Sequence, residues 1–225
     1  MPTVCITGAN RGLGLEFARQ YAADGWRVIA ACRNPAKATA LKALGPKVEI
    51  HPLVVADLAA VQKFGRAMQK ESIDLLIANA GILRERTMSA AKIDEAAWIE
   101  TFKVNSIAPL AVAGALLEPV KRSQGRRMVA ISSYLGSIGS INDGGHYTYR
   151  ASKAALNCVW RILACENPDL IVTVLSPGWV KTDMGGPSAP LEAKDSIANM
   201  RKVIAALTPE KSGRFLRHDG SEIPW

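Results

Sequence analysis

Apolar positions along the chain follow two alternating rhythms. Short runs dominated by Val, Ile, Leu and Ala lie at 4–7, 27–31, 48–55, 73–79, 127–132 and 170–176, and a brief G-R-F-L-R closes the series at 213–217. Between them, apolar residues recur at intervals of three and four, at 13–24, 35–43, 59–71, 94–119 (with Pro109 inside), 147–166 and about 190–206. Continuous short runs predict strands covered on both faces, and the longer rhythm predicts amphipathic helices. Their alternation predicts an α/β doubly wound fold, a central, mostly parallel sheet flanked by helices on both faces. At 225 residues the chain suits a single large domain over 1–225, with a first half to about 125 and a second from about 126.

Composition narrows the class. A hydrophobic fraction of 48% with 21% charged residues is that of a globular protein. The opening M-P-T-V-C-I-T-G has no basic, long-apolar leader, and no apolar run approaches the ~18 residues of a membrane span, so a cytoplasmic location is expected. The net charge of +8 is spread over the chain without a long basic run, which fits a solvated surface better than a nucleic-acid footprint. Cys5, Cys32, Cys158 and Cys165 lack C-x-x-C spacing and His51, His146 and His218 are scattered, so no metal is expected. The four cysteines are expected to be free thiols, mostly packed in the core.

Candidate chemistry gathers where strands end. Gly8, Gly12 and Gly14, in T-G-A-N-R-G-L-G, follow the first strand and open the first helix. Such a turn offers backbone N–H groups and a helix dipole to a phosphate. After the second strand, where an acidic residue would bind ribose hydroxyls, the chain has Cys32, Arg33 and Asn34. Arg33, with Arg11 in the glycine turn, favours a 2′-phosphate and therefore NADP(H) over NAD(H). Asp57 is placed to cap the helix near 59 and to accept from an adenine amine. The small residues of Asn79-Ala80-Gly81 end the fourth strand and allow a ligand close to the backbone.

Tyr149 and Lys153 stand four apart in Y-R-A-S-K, on one face of the 147–166 helix. The ammonium is expected beside the phenol, lowering its pKa so that it can give and take protons near neutral pH. Asn105 falls inside a long apolar helix, where its amide needs partners and an interruption would suggest a water or proton relay. Ser132 and Ser133 end the fifth strand on the same edge. The Gly/Pro-rich stretch 182–190 follows the sixth strand and is expected to act as a hinged lid.

Taken together, these segments resemble the short-chain dehydrogenase/reductase family over essentially the whole chain: T-G-A-N-R-G-L-G, Asp57-Leu58, Asn79-Ala80-Gly81, Asn105, Ser132-Ser133, Tyr149 to Lys153, and Pro177-Gly178 with Thr182. More narrowly, Y-R-A-S-K-A-A-L-N, P-G-W-V-K-T-D-M-G-G-P and the closing G-R-F-L-R-H-D-G-S-E-I-P-W resemble the branch of C-factor and sniffer-type carbonyl reductases. The resemblance implies a Rossmann fold, a nicotinamide cofactor and a tetrad of Asn105, Ser133, Tyr149 and Lys153. It implies that Tyr149 is the general acid/base, Lys153 tunes it and holds the nicotinamide ribose, and Asn105 anchors a water relay. Cofactor contacts would come from Gly8, Asn10, Arg11, Gly12, Leu13, Gly14, Arg33, Asp57, Leu58, Asn79, Ala80, Gly81, Tyr149, Lys153, Pro177, Gly178, Val180 and Thr182. Leu135, Ile141, Trp179 and Met184, with Pro187, would line an apolar pocket for a small carbonyl or alcohol substrate. The compact region after Thr182 departs from the family pattern, so a homodimer is expected in place of the family's usual tetramer. A dinucleotide-binding signalling protein of C-factor type is the alternative. Sixteen positions separate Ser133 from Tyr149, so N-D-G-G-H at 142–146 is expected to loop out.

Overall fold

A computed structural model describes residues 1–84 and 89–225. Seven strands form one sheet: β1 (Thr3–Thr7), β2 (Arg27–Cys32), β3 (Val48–Pro52), β4 (Leu75–Ala78), β5 (Arg127–Ile131), β6 (Ile171–Ser176) and β7 (Phe215–Arg217). They lie in the order β3-β2-β1-β4-β5-β6-β7, and every neighbouring pair is parallel. The order reverses between β1 and β4, and the crevice at such a reversal is where open parallel sheets take ligands.

Strand alternation divides the core in two. Cys5, Ile29, Leu76, Met128 and Val172 face one side, against α3 (Leu58–Met68), α5 (Ala108–Ala115) and α7 (Tyr147–Glu166). Val4, Ile6, Val28, Ile77 and Val129 face the other, against α1 (Gly12–Ala23), the short α2 (Thr39–Lys42) and α8 (Ala193–Ala205). This is the expected doubly wound Rossmann arrangement, with a sheet that is wholly rather than mostly parallel.

The differences from the expected elements have local causes. The strand expected over 48–55 ends at Pro52, because the chain turns back where the Asp57 N–H donates to the Val54 carbonyl. The helix expected over 35–43 is a 3₁₀ turn at Pro35–Lys37, capped by Asn34, followed by α2. The long helix expected over 94–119 is broken into α4 (Glu95–Phe102), a π turn (Lys103–Ile107), α5 and α6 (Leu117–Lys121). Pro109 has no N–H to return to the Asn105 carbonyl, so the ladder cannot run unbroken past it. Cys5 and Cys32 are buried as expected, but Cys158 and Cys165 are exposed on the outer face of α7, which corrects the expectation of mostly buried thiols.

Candidate active site

The glycine turn is built around close approaches. Gly8 and Gly12 hold φ of 65° and 53°, a region that an L side chain rarely adopts. A Cβ on Gly14 would lie 2.3 Å from the Gly8 carbonyl oxygen and 2.6 Å from Asn79 Nδ2. Asn79 clamps the same turn, its Nδ2 donating to the carbonyls of Thr7 (2.9 Å) and Gly8 (3.3 Å). Thr7 Oγ1 accepts from the N–H groups of Asn79 and Ala80, each at 3.1 Å, so β1 and β4 are locked together at the topological reversal. The N-terminus of α1 has no side-chain cap and no acidic residue in its first turn, so its N–H groups remain available to an anion.

Arg11 and Arg33 are both exposed, with Asn10 beside Arg11 and Arg33 directly after β2. Arg11 Nη1 lies 2.8 Å from Asp183 Oδ2 and ties the glycine turn to the segment after β6. Asp57 caps α3 as expected, its Oδ1 accepting from Ala59 N (2.9 Å) and Ala60 N (3.2 Å). Leu58, the first residue of that helix, is exposed. Leu13 is half-buried on α1.

The second cluster sits where α7 meets the end of β5. Lys153 is buried, and its Nζ donates to the Ile131 carbonyl at 2.8 Å. Burial lowers the Lys153 amine from its usual 10.5 to about 8. Its Nζ is 5.8 Å from the centroid of the Tyr149 ring. Burial pushes the Tyr149 phenol up to about 12, and the hydrogen bond with the Ser133 side chain pulls the other way. The expected lowering of this phenol by Lys153 is thus reversed: desolvation outweighs the neighbouring groups, and the ammonium is directed at the Ile131 carbonyl.

Asn105 lies fully buried in the π turn. Its Oδ1 accepts from Ile82 N at 2.9 Å, and its Nδ2 donates to the Ile82 carbonyl (2.9 Å) and to Ser152 Oγ (3.0 Å). The helix expected to run through Asn105 is interrupted at that residue, and π turns are frequent at functional sites. Gly81 brings the backbone into this corner: a Cβ there would lie 3.4 Å from Asn105 Oδ1 and 3.6 Å from Lys153 Nζ.

The two serines after β5 part company. Ser132 is buried, and its hydroxyl donates to Asn157 Oδ1 at 2.7 Å. Ser133 caps a 3₁₀ turn at Tyr134–Gly136, its Oγ accepting from Leu135 N at 3.2 Å, and is the serine that meets the phenol. The longer connection to Tyr149 does loop out, with Arg150 Nε held on the Gly145 carbonyl at 3.0 Å.

The segment at 182–190 has more internal structure than a hinged lid requires. Trp179 Nε1 donates to the Gly185 carbonyl (2.8 Å), Gly186 N to the Thr182 carbonyl (2.8 Å) and Gly185 N to Thr182 Oγ1 (3.1 Å). Val180 forms an isolated bridge with Leu191. The turn places Thr182 3.8 Å from where a Gly12 Cβ would be, and Met184 Sδ 3.9 Å from the Tyr149 hydroxyl. Gly178, at φ 80°, packs against Leu191 and His218 after the buried Pro177. Of the remaining wall residues, Leu135 is half-buried, while Ile141, Trp179 and Pro187 are exposed.

Sequence reasoning missed Thr7, Ser152 and Gly136. Gly136 is required because a Cβ there would meet Lys153 Cβ at 2.9 Å. Ser152 lies inside Y-R-A-S-K, and its Oγ donates to the Tyr149 carbonyl at 2.8 Å while receiving the Asn105 amide. The only available signal was its place between two singled-out residues. Among the described residues, no group of three or more His, Cys, Asp or Glu is placed to hold a metal ion. No described helix is long and apolar enough to cross a membrane.

A parallel sheet with a glycine turn at its topological reversal, and a Ser, Tyr, Lys and Asn cluster one strand away, defines a class. The chain belongs to the short chain dehydrogenase family of oxidoreductases, whose pattern residues 2–192 match. It is similar to the C-signal of Myxococcus xanthus, 44% identical over 155 residues that cover 68% of this chain and 93% of that protein. It is also similar to the carbonyl reductase Sniffer of D. melanogaster, with a TM-score of 0.93 at 30% identity and full coverage of both chains. An NADPH-bound carbonyl reductase from chicken fatty liver superposes with a TM-score of 0.92 at 32% identity, covering 100% of this chain and 99% of that one.

Proposed function

We propose that the protein is an NADP(H)-dependent reductase that converts a ketone or aldehyde to an alcohol. The observation that carries this reading is the buried Tyr149 phenol, held between Ser133, Lys153 and Met184 beside the glycine turn. A phenol at about 12 is fully protonated near neutral pH, which suits it to give a proton to a developing alkoxide.

The residues present fit a dinucleotide. Gly12 holds a positive φ, the α1 N-terminus is uncapped, and the Arg33 guanidinium is exposed to receive a 2′-phosphate, with Arg11 joining it by exchanging its exposed pair with Asp183. Such a cofactor, when bound, supplies the hydride. Asp57 keeps Oδ2 for the adenine amine while Oδ1 caps α3. Asn79, Ala80 and Gly81 shape the floor of the crevice. Pro177, Gly178, Val180 and Thr182 wall its far side. Lys153 would hold the ribose hydroxyls, and the Asn105 carbonyl, which Pro109 cannot bond, would accept from a water relaying protons to Lys153. Ser133 orients the carbonyl oxygen toward Tyr149, and Leu135, Ile141, Trp179 and Met184 would offer the substrate an apolar surface.

The likeness to the C-signal supports a second reading, in which the fold binds the dinucleotide for signalling with little turnover. Loss of NADPH absorbance with a panel of ketones, aldehydes and quinones separates the two. Turnover supports the reductase. Tight NADPH binding with no turnover across the panel supports the signalling protein.

A further inference from the structure

Arg217 is a cation at the carboxyl edge of the sheet that has no part in the proposed cofactor site. Arg217 ends β7, where its register partner is Ser176, immediately before Pro177 and Gly178. Phe215 packs on the α7 side of the sheet and Leu216 on the opposite side, so alternation brings Arg217 out on the face that carries Tyr149. Its guanidinium carbon lies 5.3 Å from the centroid of the Tyr134 ring. Tyr134 follows Ser133 directly and is 40% exposed. The guanidinium therefore lies on the sheet face that carries Tyr149, over an exposed ring one residue along the chain from the serine that meets the phenol.

Among the described residues, no carboxylate lies within ion-pair distance of Arg217, whereas Arg150, Arg201 and Arg214 pair with Asp143, Asp24 and Glu222. Asp219, two residues on, feels the Arg217 charge from beyond ion-pair distance, but its Oδ1 is directed at Ser221, whose N and Oγ donate to it at 3.0 and 2.6 Å. Stacking on an aromatic ring fixes the plane of a guanidinium and leaves its N–H edge free for a planar, two-point grip on a carboxylate.

We propose that Arg217, oriented by Tyr134, selects carbonyl substrates that carry a carboxylate remote from the reacting C=O group. This deepens the reductase reading and rests on it. The carboxylate stays partly solvated there, so its recognition needs no fully buried partner and acts mainly on binding. The preference it confers is screened by salt.

The test compares 4-carboxybenzaldehyde with its methyl ester as substrates, using NADPH and the full chain. The parent protein is expected to favour the carboxylate in kcat/KM by roughly tenfold or more, the scale of one charge-assisted hydrogen bond. Arg217→Gln should remove most of that advantage through KM, and Arg217→Lys, which keeps the charge without the fork, should retain part of it. Raising the salt concentration should narrow the parent's preference. Equal kcat/KM for the two compounds in the parent, or an unchanged preference in Arg217→Gln, overturns the proposal while leaving the reductase reading intact. If neither compound turns over, the reductase reading fails for them and calorimetry decides for Arg217. In the presence of NADPH, 4-(hydroxymethyl)benzoate should then bind more tightly than its methyl ester, and Arg217→Gln should abolish the difference. Equal binding overturns the proposal.

Discussion

Lys153 is a buried amine whose cost to the fold can be read from pH. In the native protein burial holds it at about 8, against its ordinary 10.5. At 1.36 kcal/mol per pK unit, the difference corresponds to about 3 kcal/mol. The sign follows from proton counting. Below pH 8 the amine is protonated in both states, and the native state bears the full desolvation cost. Between pH 8 and 10.5 the unfolded chain holds a proton that the native chain has released, so stability rises with pH. Lys153→Met keeps the bulk, removes the titration and gives up the bond to the Ile131 carbonyl. The stability advantage of Lys153→Met over the parent should therefore be largest at neutral pH and shrink by about 3 kcal/mol toward pH 10.5. Urea unfolding followed by tryptophan fluorescence at several pH values measures both proteins. Tyr21 and Cys5, each pushed up to about 12, lower stability at high pH in both proteins, so the comparison cancels them. A difference that is flat, or that grows with pH, would refute the assignment of Lys153 as a desolvated amine.

Gly14→Ala should cost about 1–3 kcal/mol of stability and greatly weaken NADPH binding, because the new methyl group meets the Gly8 carbonyl and the Asn79 clamp; thermal unfolding and calorimetry measure the two effects, and a neutral outcome would show that the turn can relax. Arg33→Asp should narrow or invert the preference for NADPH over NADH, since a carboxylate repels the 2′-phosphate and accepts from a free ribose hydroxyl; titrations giving the same ratio as the parent count against Arg33 as a phosphate ligand. Cys158 and Cys165 should react quickly with a thiol reagent in the native protein, with Cys5 and Cys32 reacting only after denaturation; four fast thiols would contradict the burial of the strand cysteines.

The sheet was legible because each strand is a short apolar run that must be covered on both faces, so the alternation of rhythms largely prescribes the topology. The site was legible where chemistry depends on spacing along one element, as with Tyr149 and Lys153, or on a turn whose residues are contiguous, as with Gly8 to Gly14. It was not legible where it depends on desolvation. The four-residue spacing of Tyr149 and Lys153 suggested a lowered phenol, but both groups are buried and the ammonium faces Ile131, so the phenol moves up. Ser132 and Ser133 could not be told apart by spacing, because the difference lies in Asn157, a partner 25 residues from Ser132 on α7. The glycines and prolines of 182–190 suggested a hinge, whereas their neighbours Trp179 and Thr182 knit the segment into a turn.

The proton donor is the centre of the account, and one comparison tests it most directly. Steady-state reduction of a turned-over aldehyde by NADPH is measured for the parent and for Tyr149→Phe, together with NADPH affinity by fluorescence titration. Tyr149→Phe should lower kcat by ~10²–10⁴-fold while NADPH affinity stays within a few-fold, since the phenol gives a proton and the ring remains in place. A Tyr149→Phe protein that keeps most of its turnover would contradict the account at its core.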